Sequence, residues 1–195
     1  MIIAIKEEDK VVVGYTNCDI WAAIGEEDYV DEENLGIRFS KDGVLFGFEE
    51  MGVRSDIFLY DDEFMDEEIT PKTVVREIIP YIKQRLEDNC LSLDKNGEWK
   101  NTLIICKDNH IYDIDKNFGF SEIDNYIAHG YKAETAISVL DQTAGLSAKE
   151  RILKVMEVIG RIAKMDLFPI VITDTKSRQF TRIYKGENNE YNSGV

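Results

Sequence analysis

The order of its predicted strands and helices restricts the fold of this chain more than any other feature of the sequence. Two apolar hairpins come first, MIIAIK with KVVVGYT and GIRF with VLFGF, and the helical patterns MGVRSDIFLYDDEFM and TPKTVVREIIPYIKQRLEDN follow. The second half repeats this plan, with strands in NTLIIC, IYDID and IDNYIAHG, helices in KAETAISVLDQTAG and SAKERILKVMEVIGRIAKM, and closing strands in FPIVIT and FTRIY. Strands and helices that do not alternate singly predict an α+β fold, a four-layer α/β/β/α sandwich of two packed sheets with helices on both outer faces.

Two of the predicted helices carry clear start signals. Thr70 stands as an N-cap before Pro71 at the first helical position, and Ser147 and Glu150 form a capping box. Pro80 lacks an N–H group and is expected to kink its helix. The predicted buried positions are Val53, Ile57 and Tyr60 or Phe64 in the first helix; Val74, Val75, Ile78, Ile79, Ile82 and Leu86 in the second; and Ile152, Val155, Met156, Ile159, Ile162 and Ala163 in the last.

The excess of negative charge lies in the first third of the chain. Residues 1–70 hold 20 Asp and Glu against 5 Lys and Arg, and the other 125 residues hold 18 of each sign, for a net charge of −15. The acidic runs are EEDYVDEE (26–33) and DDEFMDEE (61–68). Such a surface disfavours DNA, RNA and anionic membranes as partners. We expect two solvated acidic loops; a docking face for a basic protein partner or a weak divalent-cation site is the alternative.

Length and composition are typical of one globular domain. We expect a single domain over residues 1–185, followed by a polar tail over 186–195. No run of 18 apolar residues and no secretory leader is apparent, which predicts a cytoplasmic protein. The cysteines Cys18, Cys90 and Cys106 lack metal-ligand spacing, and Cys106 ends the apolar run LIIC as a predicted buried, reduced thiol. No cofactor, metal or disulfide framework is expected.

Three longer segments are informative through the succession of their elements. MIIAIKEEDKVVVG forms a hairpin, KDGVLFGFEEMGVRSDIFLY runs from a hairpin into a helix, and residues 126–173 contain a strand, a glycine turn, two helices, an Asp and a final strand. In this order and spacing they resemble the proteasome β-subunit family, which includes the bacterial proteasome-like peptidase that works with an ATP-dependent unfoldase. The resemblance covers most of residues 1–185 and implies a divergent member with the N-terminal nucleophile hydrolase fold.

That resemblance implies a particular chemistry at the start of the chain. In these enzymes a Thr, Ser or Cys is residue one of the mature chain, and its α-amine serves as general base through a water. The preferred alignment places Met1 one position after the family's threonine. A thioether has no proton to lose, so we do not expect Met1 to be a nucleophile. Removal of Met1 before the bulky Ile2 is not expected either.

The other site positions implied by the resemblance carry different residue types. Thr16 stands for the family's Asp, with Asp19 nearby; Leu35 stands for its Lys, with Arg38 and Lys41 as the closest cations; Glu49 stands near its oxyanion-hole Gly, and His129 stands for the Ser of its Ser-Gly turn. A carboxylate at Glu49 would oppose the charge that an oxyanion hole stabilises. Asp166 matches the family, either as a helix-end polar residue or as a remnant of the site. We favour a structural, hydrogen-bonded role for His129.

Two hypotheses of function follow from these substitutions. The first is a proteasome-like pseudoenzyme with a degenerate active site, which acts by oligomeric assembly, with a ring as one form of it, or by binding a partner. Its candidate assembly surfaces are the helices at 51–65 and 131–145. The alternative is a hydrolase of peptide or other amide bonds that becomes active when internal processing exposes Thr16 or Cys18 near Asp19, Arg38 and Asp166. Because fold analogy alone does not establish chemistry, we favour the first hypothesis.

Overall fold

The computed structural model describes residues 1–16, 36–49, 53–61, 64–65, 68–91 and 93–185. The first half contains β1 (Ile2–Lys6), β2 (Val11–Tyr15), β3 (Ile37–Phe39), β4 (Leu45–Phe48), α1 (Val53–Leu59), α2 (Pro71–Thr73), a π-helical turn (Val74–Ile78) and α3 (Ile79–Asp88). The second half contains β5 (Leu103–Lys107), β6 (His110–Ile114), β7 (Phe120–Ile123), β8 (Tyr126–His129), α4 (Ala133–Gln142), α5 (Ala148–Ala163), β9 (Ile170–Asp174) and β10 (Thr181–Ile183).

The described strands form two antiparallel five-stranded sheets. Their order is β10-β9-β2-β1-β8 in the first sheet and β3-β4-β5-β6-β7 in the second. Strand β1 lies inside the first sheet, where Ile2 is opposite Tyr15 on one side and His129 on the other. The start of the chain is therefore held between two neighbouring strands.

Side-chain alternation along β1 separates two cores. Ile2 and Ala4 belong to the apolar cluster between the two sheets, and Ile3 and Ile5 belong to the cluster that the first sheet forms with α4 and α5. Successive residues of a strand point to opposite faces, so a fully apolar strand fits only a sheet that is covered on both sides. The second sheet is covered in the same way by α1, α3 and the π-helical turn. The predicted four-layer α/β/β/α sandwich is thus confirmed.

The start signals predicted for the helices are also present. Thr70 accepts a hydrogen bond from the Thr73 backbone N–H and stands directly before Pro71. Ser147 and Glu150 form a reciprocal capping box at the start of α5. These caps satisfy N–H groups that the first turn of a helix leaves without partners.

Pro80 affects its helix through a change of hydrogen-bond spacing. The Ile79 N–H bonds to the Val74 carbonyl, five residues earlier, and the π-helical turn ends at Ile78, two residues before Pro80. Proline has no N–H to continue the regular pattern, and such single π turns are one way in which a helix absorbs the disturbance. The turn also rotates Val75 outward, so its predicted burial is wrong: the residue is 50% exposed.

One other predicted core position is exposed, and one strand was not predicted. Ile162 lies in the last turn of α5 and is 52% exposed, since at a helix end a regular spacing no longer indicates contact with a sheet. Of the alternatives Tyr60 and Phe64, Phe64 is the buried one, at 3% exposure, and Tyr60 lies just past the end of α1 and is 68% exposed. Strand β7 escaped prediction because Ser121 and Glu122 are exposed and interrupt its apolar pattern.

The acidic runs are only partly described. Residues 26–33 lie outside the described part of the chain, and of the second run the structure describes Asp61, Phe64, Met65 and Glu68. Asp61 is not a solvated charge as predicted. Its side chain is 8% exposed, lies 3.1 Å from an Arg85 guanidinium nitrogen and accepts a hydrogen bond from the Tyr81 hydroxyl at 2.5 Å. Burial of a carboxylate in this way requires such partners.

Candidate functional site

The start of the chain is bound to the end of β2. The α-amine of Met1 donates to the Thr16 carbonyl at 2.9 Å, and the Thr16 N–H donates to the Met1 carbonyl at 3.0 Å. This reciprocal pair extends the β1–β2 ladder by one step beyond the strands. The Met1 side chain is partly buried against the cluster of the first sheet with α4 and α5. We call this end of the sandwich, marked by Met1, Thr16, Glu49, Thr102 and His129, the site end.

Thr16 is buried and its hydroxyl is bonded within the protein. The residue is 3% exposed, and Oγ1 donates to the Leu167 carbonyl at 2.8 Å. The contact joins the end of β2 to the segment between α5 and β9. Asp166 directly precedes Leu167, whose carbonyl accepts the hydrogen bond from Thr16.

The Asp166 side chain is half exposed and faces Lys185. Its Oδ2 accepts from the Lys185 ammonium at 2.7 Å, and its Oδ1 accepts from the Phe168 backbone N–H at 3.3 Å. The hydrogen bond from Lys185 is the largest influence and lowers the pKa of Asp166, against a smaller rise from partial burial. Asp166 is therefore a carboxylate held by a cation at the edge of the site end.

Gly130 lies in contact with the backbone of Met1. Its φ is +110°, and a Cβ placed on it would lie 2.9 Å from the Met1 Cα and 3.4 Å from the Met1 Cβ. L-residues with a side chain avoid this backbone region, and no Cβ approaches another carbon so closely. A glycine is thus required in the turn after β8 for two reasons, the positive φ of the backbone and the close approach of Met1.

His129 links the two sheets. Its Nε2 lies 2.8 Å from Oδ1 of Asp113, which stands on β6 of the second sheet. The side chains are only 18% and 14% exposed. The predicted hydrogen-bonded role of His129 fits this contact. Asp113 was not a predicted site residue, although it follows Ile111 by two positions on the inward face of β6.

The second sheet contributes a hydroxyl–carboxylate contact to the site end. The Thr102 hydroxyl donates to Oε2 of Glu49 at 3.1 Å, just beyond the ends of β4 and β5. Gly47 on β4 lies two residues before Glu49 and leaves room for Ile2, because a Cβ there would lie 2.5 Å from the Ile2 Cδ1. A negative group thus stands where the resemblance implies an oxyanion-hole glycine.

The two cations considered from the sequence lie elsewhere. Ile37 on β3 faces the space between the sheets, so Arg38 points to the opposite face, where its guanidinium donates to the Leu59 carbonyl in α1. Lys41 lies in the exposed turn between β3 and β4, at the far end of the second sheet. Neither residue is brought to Met1.

Three residues that the sequence analysis assigned to the site, Cys18, Asp19 and Leu35, lie outside the described residues. Within the described part of the chain, no group of three or more His, Cys, Asp or Glu side chains is placed to hold a metal ion. Cys106 is buried and free, as predicted, and burial raises the pKa of its thiol well above the usual range. No helix in the described ranges is long and apolar enough to cross a membrane.

The two sheets, the outer helices and the position of Met1 define a class of fold. It is the proteasome-like N-terminal nucleophile hydrolase fold, in a divergent form. The structure of BPH from Thiobacillus denitrificans is similar with a TM-score of 0.70 and 15% identity, over 89% of this chain and 96% of that one. The same BPH in complex with epoxomicin gives a TM-score of 0.71 at 14% identity.

Two further solved structures share the fold. Anbu, an ancestral beta-subunit from Yersinia bercovieri, has a TM-score of 0.62 at 12% identity, over 95% of this chain and 88% of that one. Eukaryotic HslV from Trypanosoma brucei has a TM-score of 0.56 at 15% identity, over 89% and 97% of the two chains. At the level of sequence, no protein-family model and no curated protein matches the chain. The shared property is therefore the fold.

Proposed function

We propose that the chain is a proteasome-like protein with a degenerate active site, which acts by oligomeric assembly or partner binding rather than proteolysis. The observation that carries the proposal is the environment of Met1. Its side chain is a thioether without an acidic proton, and its α-amine donates to the Thr16 carbonyl at 2.9 Å. A terminal nucleophile needs an ionisable hydroxyl or thiol, with the amine available as its base.

The surrounding positions support the same proposal. The resemblance puts Glu49 near the oxyanion-hole position, where a carboxylate would oppose a developing negative charge, and Arg38 donates to the Leu59 carbonyl on the opposite face of the second sheet. Thr16 is committed to Leu167, and Asp166 is held by Lys185. Each of these groups already has a hydrogen-bond partner within the protein.

The assembly that we propose is a homo-oligomer of the ring type. Support comes from the similar fold of Anbu, which is described as a beta-subunit, together with the proposed single domain over residues 1–185. Candidate contact surfaces are α1 and α4, and the acidic first third is a candidate face for a basic protein partner. We expect a cytoplasmic protein that binds neither nucleic acid nor membranes; residues 186–195 are proposed to be a polar tail.

The decisive test combines intact mass with a covalent probe. The protein is purified from its own host, weighed to about one dalton, and incubated with epoxomicin, with the Thiobacillus denitrificans BPH as positive control. We expect retained Met1 and no added mass on this chain, while the BPH gains the mass of the inhibitor. Addition of one inhibitor to this chain would contradict the proposal and identify the nucleophile by peptide mapping.

The same mass measurement tests the processed hydrolase. Cleavage before Thr16 or Cys18 would cut β1 and β2 from the rest of the chain, although both are inner strands of the first sheet. That cost argues against processing, because two strand pairings, β1 with β8 and β2 with β9, would then be held without a covalent link. A mature chain that begins at Thr16 or Cys18 would overturn the pseudoenzyme proposal.

Oligomeric assembly needs its own measurement. Native mass spectrometry at two protein concentrations should show a closed oligomer of fixed size, and a monomer at both would refute assembly. Ser138 is exposed in the middle of α4, so Ser138→Arg should reduce the oligomer if α4 is in the interface. Gln179→Arg adds the same charge at an exposed position outside α1 and α4 and should leave the oligomer unchanged.

A further inference from the structure

The space between the two sheets is apolar in its middle and closed by polar contacts at its two ends. Its buried cluster is formed by side chains such as Ile2, Val13 and Ile104. At the end opposite to the site end, Thr175 Oγ1 donates to the Asp108 carbonyl at 2.6 Å and accepts from the Val11 N–H at 3.0 Å. These links join neutral groups, and a further one runs from the Asn109 side-chain amide to the Glu8 carbonyl at 3.1 Å.

The site end is closed by a different kind of contact. His129 and Asp113 meet across the gap with 2.8 Å between Nε2 and Oδ1. Their neighbours in the strands, Ile2 beside His129 and Ile104 beside Asp113, are each 1% exposed. A hydrogen bond to a carboxylate is stronger than one between neutral groups, and the surrounding apolar side chains strengthen it further.

The position of β8 makes this contact important. Strand β8 is the edge strand of the first sheet and pairs only with β1 among the described strands. It carries Gly130 at its end, directly against the Met1 backbone. Because β8 is held by one strand neighbour, a contact from its inner face to the second sheet adds a constraint that the strand pairing alone does not supply.

We propose that Asp113 and His129 form a clasp that fixes edge strand β8 to the second sheet and closes the gap beside Met1. Release of the clasp lets β8 move away from β6 and opens the space between the sheets at the site end only. The opposite end keeps its own links, which include the hydrogen bonds of Thr175 and the one from Asn109 to the Glu8 carbonyl. The clasp is a conformational device, independent of whether the protein has lost peptidase chemistry.

Amide hydrogen exchange tests where the sandwich opens. In Asp113→Ala, exchange of the β8 amides and of the first residues of β1 should accelerate about tenfold or more, while the Val11 amide stays unchanged. The matched control is Thr175→Val, which removes the neutral link and should accelerate exchange at Val11 but not in β8. Equal acceleration at both ends, or none in β8, would overturn the clasp.

A double-mutant cycle tests whether the two residues act as a pair. Asp113→Ala, His129→Ala and the double variant are compared by urea unfolding. We expect a coupling of about tenfold in the unfolding equilibrium constant. A second cycle with Asp113→Leu and His129→Phe removes both hydrogen-bonding groups at a similar side-chain size and serves the same comparison if an alanine variant does not fold. If the effects of the two single variants on the unfolding equilibrium constant simply multiply in the double variant, to within about twofold, the residues do not act as a pair.

Discussion

Replacing Gly130 by alanine places a methyl group where the first residue of the chain already lies. The new Cβ would stand 2.9 Å from the Met1 Cα, compared with the ordinary separation of about 3.5 to 4.0 Å between carbon atoms. Relief requires that β1 or the turn moves, which costs about 1 to 3 kcal/mol in a packed site. The backbone at φ +110° adds strain of about 1 to 3 kcal/mol. We expect a loss of about 3 kcal/mol in the free energy of unfolding.

Two other glycines separate these contributions. Gly97 has φ +80° with no atom within 4 Å of its Cβ position, so Gly97→Ala measures backbone strain without a clash. Gly145 has open space and no positive φ, so Gly145→Ala reports the smaller entropy of the unfolded alanine chain, about 0.4 to 1 kcal/mol in favour of folding. Urea unfolding of the three variants and the parent gives the free energies.

The expected order is a large loss for Gly130→Ala, a smaller loss for Gly97→Ala, and no loss for Gly145→Ala. If Gly130→Ala costs no more than Gly97→Ala, the Met1 backbone does not lie against this turn. The contact between Gly130 and Met1, which is central to the site end, would then be absent. A large loss with all three variants would instead refute the assignment of the effect to position 130.

Three further predictions use the same unfolding assay or a thiol reagent. Thr16→Val removes the hydroxyl bonded to the Leu167 carbonyl and should cost about 1 to 3 kcal/mol, whereas Thr16→Ser keeps the bond and should cost less. Ser147→Ala removes the N-cap of α5 and should cost about 1 kcal/mol at neutral pH. Since the Ser147 hydrogen bonds lower the pKa of Glu150, their stabilisation is present above the ordinary value of 4.5 and the cost should shrink as the pH falls below it. Cys106 should resist alkylation in the folded protein and react after unfolding, as peptide mapping would show.

Much of the fold was predictable because its strands are apolar on both faces or bounded by clear turns. β1 and β2 have no polar face, which a two-sided sheet requires, and the helices that follow Thr70 and Ser147 begin at recognisable caps. β7 was not predictable, because an edge strand tolerates polar residues such as Ser121 and Glu122. Val75 shows the limit of helical spacing, since the π-helical turn changes which face a residue occupies.

The site was predictable only where a single strand or turn determines it. The glycine turn at Gly130 and the polar contact of His129 follow from local pattern, and both are present. Asp113 could not be found in this way, because its contact depends on how two separate sheets are stacked. The direction of Arg38 depends likewise on the face that β3 turns to the helices.

The polar groups at the site end have a different physical role in the proposed non-catalytic protein from the one that they would have in an active hydrolase. Catalytic groups are held where they can meet a substrate, and replacing them commonly raises stability at the expense of activity. Here the Met1 amine, the Thr16 hydroxyl and the His129 imidazole are each bonded to another part of the chain. In the proposed non-catalytic role, loss of any of these bonds should lower stability, as it does for ordinary buried polar contacts. A stabilising Thr16→Val would therefore count against the proposed function, because it would indicate a hydroxyl kept for reactivity.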